Sequence, residues 1–129
     1  MSGNEASAIG ALRAINKAQN DYGQKCNGYA ADLTELRRAG DFLSSELSAA
    51  SLVTKDGYEI GLEPLAGASV ISDPPIGCTG TVNNFFAYAR PAVPGSTGTR
   101  YFATDANGTI FQSQVPLSNP VGPDGIPLQ

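Results

Sequence analysis

The segment Asn4–Gly23 constrains the fold more than any other part of the chain, because it has the pattern of a long amphipathic helix. Apolar side chains recur in it every three or four residues, and polar side chains fall between them. The apolar positions are Ile9, Leu12, Ile15, Ala18 or Gln19, and Tyr22. Asn4 is placed to cap the first turn, and Gly23 can end the helix in the left-handed conformation. We therefore predict a helix over residues 4–22, and later parts of the chain must cover its apolar stripe.

The composition is that of a single globular domain of modest acidity. The chain has 129 residues, of which 41% are hydrophobic and 16% are charged, and its net charge is -4. This length can bury a real core, and the negative charge opposes attraction to phosphate backbones, so no nucleic-acid partner is expected. No run of about 20 apolar residues is present to span a bilayer, and the first residues lack the pattern of a secretory signal. We interpret residues 1–3 as an added translation start on a truncated chain, and residues 4–129 as the domain.

Two cysteines, Cys26 and Cys78, lie too far apart for a Cys-x-x-Cys motif, and the chain has no histidine to join them in a metal site. A single disulfide is the leading interpretation, and it would place the chain in an oxidising compartment. The alternative is a pair of unpaired buried thiols, as in reducing compartments.

Between the first helix and the strands, residues 24–56 have the pattern of a connecting loop with short helices. A short helix is predicted over Asp32–Ala39, with Asp32 as its cap. The segment Phe42–Val53 is a second short helical or irregular piece, and Asp56-Gly57 marks the turn into the first strand.

Strands follow over residues 58–115. Alternating apolar and polar residues predict them at Tyr58–Glu63, Asn84–Arg90, Thr99–Asp105 and Thr109–Val115. Residues 106–108, Ala-Asn-Gly, predict a tight hairpin between the last two strands, and Gly95–Gly98 a longer one before them. The Pro-rich tail, residues 116–129, is expected to be an extended surface segment. The predicted fold class is therefore α+β, with a long N-terminal helix packed on an antiparallel sheet of three or four strands.

No constellation of catalytic residues is visible in the sequence. Without histidine, a serine or cysteine nucleophile lacks its commonest base and zinc its commonest ligand. Glu59 and Glu63 share one strand face and have the pattern of a solvated surface. Asp105 resembles the start of a calcium loop, but a hairpin turn explains it better because the later ligands are missing. We therefore expect a protein that is not an enzyme and has no cofactor.

The order of these segments resembles a known family. The strings that carry the resemblance are NEASAIGALRAINKAQNDYG, DLTEL, KDGYEIGLEP, FFAYARP, the Gly-Ser-Thr-Gly loop and RYFATDANGTIF. Together they are similar to the soluble part of a bacterial type IV pilin, or of the related pseudopilins of type II secretion. In that family an apolar half-helix, which this sequence lacks, precedes the segment and anchors the precursor in the inner membrane. The glutamate buried in the membrane is also missing, and Glu5, in the polar half of the helix, does not replace it.

The resemblance implies a structural subunit that acts by self-assembly through its N-terminal helix. Its partners would be other pilin subunits and the assembly machinery of the inner membrane, and it would be found in a surface filament or in the periplasm. The small residues Ala6, Ala8, Ala11 and Ala14 would suit close packing against other subunits. Some pseudopilins bind calcium in C-terminal loops, which makes Asp105 and Asp124 candidate metal ligands. A secretion pseudopilin and a small exported binding module remain as alternatives, the latter using its sheet edge and Pro-rich tail.

Overall fold

A computed structural model describes residues 3–128, and its longest element is the helix α1, Gly3–Cys26. The helix runs past the predicted end at Gly23, which stays helical. Asn27 takes the left-handed conformation instead, with φ of 58°, and its N–H donates to the Gly23 carbonyl at 3.0 Å. Asparagine tolerates this conformation because its short polar side chain can bond locally. The predicted cap at Asn4 is also wrong, since Asn4 lies inside the helix and its side-chain amide donates to the Thr97 carbonyl at 3.0 Å.

A short helix and a two-stranded sheet follow α1. The helix α2, Leu33–Arg38, begins as predicted at Asp32, whose carboxylate accepts from the Glu35 N–H at 2.9 Å. The strand β1, Tyr29–Ala30, pairs with β4, Thr81–Val82, in an antiparallel sheet. The sequence pattern did not predict this sheet, because two residues are too short to show a period.

The main sheet has six antiparallel strands. Four of them lie near the predicted positions: β3 at Tyr58–Pro64, β5 at Phe85–Pro91, β6 at Tyr101–Asp105 and β7 at Ile110–Ser113. Two were not predicted, namely β2 at Leu52–Lys55 and β8 at Ile126–Pro127. The order across the sheet is β2, β3, β5, β6, β7, β8, so consecutive strands of the sheet are always neighbours. The α+β class and the packing of a long helix on an antiparallel sheet are thus confirmed, but the sheet is larger than expected.

Both additional strands lie at the edges of the sheet. β2 and β3 form a tight hairpin across Asp56-Gly57, where both residues have positive φ values, of 49° and 79°. This is the turn that matches the twist of paired strands. At the other edge, β8 places the tail beside β7, with Gln112 opposite Ile126. Pro127 is tolerated there because an edge strand has one side without a neighbour.

The core lies between α1 and the inner face of the sheet. The stripe of α1 meets alternating residues of the central strands, because side chains of a strand point to opposite faces in turn. The buried strand residues include Tyr58, Ile60 and Leu62 of β3, Phe85, Ala87 and Ala89 of β5, and Phe102 of β6. Within residues 3–128, every buried side-chain nitrogen and oxygen has a hydrogen-bond partner.

Candidate functional site

The predicted helix face is buried in the chain's own core. Ile9, Leu12, Ile15 and Tyr22 are all at most 6% exposed. Ala8 and Ala11 are buried beside them, so the expectation that these two alanines face other subunits is wrong. The exposed side of α1 is formed instead by Ala6, Gly10 and Ala14, together with charged residues. Helical periodicity located the apolar stripe of α1 correctly. The type of a small residue such as alanine does not by itself indicate whether it lies on the buried or the exposed side of the helix.

Glu5 is buried at the first turn of α1. It is 5% exposed, and its carboxylate accepts hydrogen bonds from the N–H of Thr99 at 3.2 Å and of Arg100 at 3.0 Å. The Nε of Arg100 lies 3.6 Å from its other oxygen. The carboxylate therefore fixes the loop between β5 and β6 against the start of the helix. Burial and the negative charge of Glu5 together raise the pKa of Tyr58 to about 12.

A second buried polar cluster lies near the other end of α1. The Tyr22 hydroxyl donates to the Glu35 carboxylate at 2.7 Å and lies 2.7 Å from the Thr81 hydroxyl. Glu35 also accepts from the Thr79 N–H at 3.0 Å and forms an ion pair with Arg38. Burial raises the pKa of the Tyr22 hydroxyl. These groups form hydrogen bonds and an ion pair with one another, so the cluster joins α1, α2 and β4. It therefore offers no open position to a ligand.

The disulfide between Cys26 and Cys78 lies beside this cluster, with the two Cα atoms 5.7 Å apart. Both cysteines are buried. The bond connects the last residue of α1 to the loop that precedes β4.

The candidate metal ligands Asp105 and Asp124 are not brought together. The Asp105 carboxylate accepts from the Asn107 N–H at 2.9 Å, and its carbonyl accepts from Gly108 at 2.9 Å, as in a hairpin turn. Asp124 lies in the tail and lines the same shallow cleft as Gln112 and Ile126. Among residues 3–128, no group of three or more acidic, cysteine or histidine side chains is placed to hold a metal ion. A calcium role for these two residues remains a prediction.

The most distinctive surface feature is a groove of about 220 Å³ on the face of the sheet opposite α1. We call it the tyrosine groove, and it is lined chiefly by Phe86, Tyr88, Arg90, Tyr101, Leu117 and Asn119. Phe86 and Tyr88 stack at 5.9 Å between ring centroids, and the Arg90 guanidinium lies 5.3 Å from the centre of the Tyr88 ring. Burial raises the pKa of the Tyr88 hydroxyl. Gly61 has no side chain to obstruct the Tyr88 ring, which lies across it.

The tail forms one wall of the tyrosine groove. The Asn119 amide donates to the Glu63 carboxylate at 2.7 Å and to the Pro64 carbonyl at 3.0 Å, and its oxygen accepts from the Ala66 N–H at 2.8 Å. These bonds hold Pro116 and Leu117 beside the aromatic rings. The sequence alone did not show that the tail would return across the outer face of the sheet.

A larger and more open cleft, of about 420 Å³, lies between α1 and the two-stranded sheet. It is lined mainly by amide side chains, among them Asn20, Gln24, Asn27 and Asn83. The tyrosine groove combines aromatic rings with a few fixed polar groups, which is the usual composition of a binding site. We therefore regard the tyrosine groove as the better candidate.

These features define the chain as an α+β protein in which a long helix, attached at both ends, supports an antiparallel sheet with an aromatic outer groove. A scan against protein-family models finds no matching family, and searches of the curated proteins and of the solved structures find no match. In the part of the chain that the structure describes, no helix is both long and apolar enough to cross a bilayer.

Proposed function

We propose that the chain is the globular domain of a filament subunit of the type IV pilin class, which acts by self-assembly and surface display and not by catalysis. The observation that carries the proposal is the attachment of α1. Its apolar stripe packs on the sheet along its length, while Glu5 fixes its first turn and the Cys26–Cys78 disulfide fixes its end. A helix held in this way is a stiff support that can orient a head domain on a filament.

The exposed side of α1 supports the same proposal. Ala6, Gly10 and Ala14 are exposed there at spacings of four residues, on one side of the helix. Small residues at such spacing let the backbone of another helix approach closely. Assembly would then combine this surface with an apolar helical segment upstream of α1, which would anchor the precursor in the inner membrane. The disulfide suits the oxidising periplasm and cell surface.

The open reading frame and the location of the full-length protein test the proposal. We expect an apolar segment joined directly to α1 and preceded by a prepilin cleavage site. We also expect the protein in surface filaments that can be sheared from cells and labelled with antibodies against residues 4–129. A conventional cleaved signal, with the protein present only as a soluble monomer, would contradict the proposal. Retention in the cell envelope together with loss of protein secretion on deletion would indicate a pseudopilin instead.

A matched pair of variants tests the role of the exposed helix side. A Cβ at Gly10 would meet no atom within 4 Å, so Gly10→Leu should leave the domain folded. In the full-length protein it should sharply reduce the amount of subunit in sheared filaments. Gln114→Leu adds the same side chain to an exposed position away from α1 and should assemble normally. Equal assembly of both variants would show that this side of α1 is not an interface.

A further inference from the structure

The cleft between α1 and the two-stranded sheet is lined by neutral polar side chains. We call it the amide cleft. Its volume is about 420 Å³, which lies within the usual range of small-ligand sites, about 300 to 1,000 Å³. Of the nine described residues that line it, five are asparagine or glutamine and none is charged. A ligand that complements this lining is therefore polar and carries no charge.

Three of the amides form the wall of the cleft that belongs to α1. Asn20 and Gln24 are four positions apart on the helix, so they lie on the same side of it, and Asn27 follows its last residue. All three are exposed, and within residues 3–128 their side-chain amides have no hydrogen-bond partner. Each amide accepts through its oxygen and donates through its nitrogen. This wall thus offers a donor and an acceptor side by side at each position.

The wall on the side of the two-stranded sheet combines a fixed amide with an aromatic ring. The Asn83 oxygen accepts from the Ser69 N–H at 2.9 Å, which leaves its NH₂ group to donate to a ligand. The Tyr29 ring is half-buried and packs on Phe85, with 5.1 Å between the ring centroids. The face of such a ring carries partial negative charge and attracts the positively polarised hydrogens of C–H groups.

The two walls are held together by the backbone of β1 and by the disulfide. Gln19 is fully buried at the base of the cleft. Its amide donates to the Ala30 carbonyl at 3.0 Å and accepts from the Ala30 N–H at 2.8 Å. The disulfide of Cys26 fixes the end of α1 beside this contact. The cleft is therefore formed before a ligand binds, and binding need not order its walls.

We propose that the amide cleft binds a neutral saccharide. Sugar hydroxyls both donate and accept hydrogen bonds, as the amides do, and a pyranose ring has an apolar face of C–H groups that can stack on Tyr29. A charged ligand would find no ion-pair partner in the cleft, and an apolar ligand would cover the amides without bonding to them. The tyrosine groove does not indicate a ligand in the same way, because its Arg90 is already paired with Glu59. The inference goes beyond the proposed function and does not depend on it.

Titration of the isotope-labelled 129-residue chain with neutral sugars tests the proposal by NMR. The probes are glucose, galactose, mannose and N-acetylglucosamine. We expect at least one of them to shift the side-chain amide signals of Asn20, Gln24 and Asn83 saturably. The dissociation constant should be about 1 mM, as for a small ligand in an open site. Nuclear Overhauser contacts should connect the C–H protons of the bound sugar to the Tyr29 ring.

A disaccharide of the sugar that binds best identifies the source of the ligand. Tighter binding of the disaccharide would indicate a glycan chain, and equal binding would indicate a free sugar. Both results support the proposal.

A double variant and a matched control test which amides bind. Asn20→Ala combined with Gln24→Ala removes two free amides, and alanine is favourable at exposed helix positions, so the domain should stay folded. This variant should bind the sugar at least about tenfold more weakly, because two hydrogen bonds are lost. Gln114→Ala removes an exposed amide outside the cleft and should bind like the wild type.

Three results would overturn the inference. The first is the absence of shifts at the cleft with every one of these sugars, and the second is a double variant that binds as tightly as the Gln114→Ala control. The third is tighter binding of galacturonate than of galactose, because the two differ by a carboxylate for which the cleft has no cation.

A peptide is the competing class of ligand, because its backbone groups also donate and accept. Acetylated triglycine amide is the probe for this class. If it binds in the cleft more tightly than any of the sugars, the cleft receives a protein segment and the assignment to a saccharide is wrong.

Discussion

The carboxylate of Glu5 joins the first turn of α1 to residues 99 and 100, in the loop after β5. Its hydrogen bond to the Arg100 N–H spans 95 positions of the sequence. A local pattern gives no information about a partner so distant, so the sequence could place Glu5 only relative to the helix dipole. The core residues Leu12, Ile15 and Tyr22 were predictable because their burial follows from helical periodicity alone.

Removing the Glu5 side chain should destabilise the fold by about 2 to 3 kcal/mol in Glu5→Ala. Without the carboxylate, the N–H groups of Thr99 and Arg100 lose their hydrogen-bond acceptor in a buried position. A buried polar group without a partner destabilises the folded state by its full desolvation free energy. Urea unfolding at neutral pH measures the change. The matched control is Glu46→Ala, because Glu46 is an exposed partner of Lys55 and its loss should change the free energy of unfolding by less than about 0.5 kcal/mol. Equal effects of the two substitutions would contradict the role assigned to Glu5.

Tyr58 should make the protein sensitive to alkaline pH. Burial and the nearby Glu5 charge raise its pKa from 10.0 to about 12. Because the folded pKa exceeds the unfolded one, the stabilisation is complete below about pH 10 and is lost as the pH rises towards 12. At about pH 11 the loss should be about 1 kcal/mol.

The variant Tyr58→Phe tests the contribution of this hydroxyl. It should be about 1 kcal/mol less stable at neutral pH, since the hydrogen bond to the Arg100 carbonyl at 2.7 Å is lost. It should also lose less stability than the wild type between about pH 9 and pH 11 in urea titrations. The raised pKa values of Tyr22 and Tyr88 leave some alkaline sensitivity in the variant. An unchanged pH dependence would show that Tyr58 does not titrate in this range.

At the scale of whole elements, those with a clear period or turn signal were predictable from the sequence. α2 was found through the capping pattern of Asp32 and Glu35, and the hairpin between β6 and β7 through its Asn-Gly pair. β1, β4 and β8 have two residues each, so their existence depends on a partner strand that the local sequence does not reveal. β2 was missed because only Val53 of its four residues is buried.

The disulfide should be the strongest constraint on the segment between α1 and β4. It closes a loop with a sequence separation of 52 residues, and on the usual chain-entropy model such a loop contributes about 4 kcal/mol. Cys26→Ser should therefore lower the melting temperature under oxidising conditions. Under strong reductant it should melt like the reduced wild type. A variant that differs equally from the wild type in both conditions would show that the bond is not responsible.

The turn between β2 and β3 also contacts the start of α1, so it should tolerate substitution poorly. A Cβ at Gly57 would lie 2.7 Å from Asn4 Nδ2 and 2.8 Å from Thr97 Cβ, and the φ of Gly57 is +79°. Gly57→Ala should therefore cost more than the backbone strain alone, about 2 to 3 kcal/mol in total.

The variant Gly95→Ala measures the cost of backbone strain alone, without the steric clash that Gly57→Ala adds. Gly95 has a similar φ, of +82°, but no atom lies within 4 Å of its would-be Cβ. It should cost only the strain, about 1 kcal/mol. Chemical denaturation of both variants gives the comparison, and equal losses would show that the contact with α1 contributes nothing.

At the scale of the whole molecule, the arrangement of a helix layer on a sheet layer followed from the order of patterns in the sequence. The tyrosine groove did not, because it needs the tail to return over β5 and β6. That return depends on the hydrogen bonds of Asn119 to Glu63 and Pro64, which are 56 and 55 positions away. Phe86 and Tyr88 lie on alternate positions of β5 and line the groove, but nothing local to them indicates what lies across it.

The 129-residue chain should be monomeric at micromolar concentration. The apolar stripe of α1 is already buried against the sheet, and the large exposed apolar residues are scattered over several elements, among them Leu52, Ile76, Val93 and Ile126. Sedimentation equilibrium should therefore give a mass near 13.3 kDa. On the proposed function, a full-length chain that carries an upstream apolar segment should give larger species in detergent, because such a segment would add the apolar surface for assembly. A stable dimer of the 129-residue chain at micromolar concentration would instead mean that the head domain itself carries the main interface.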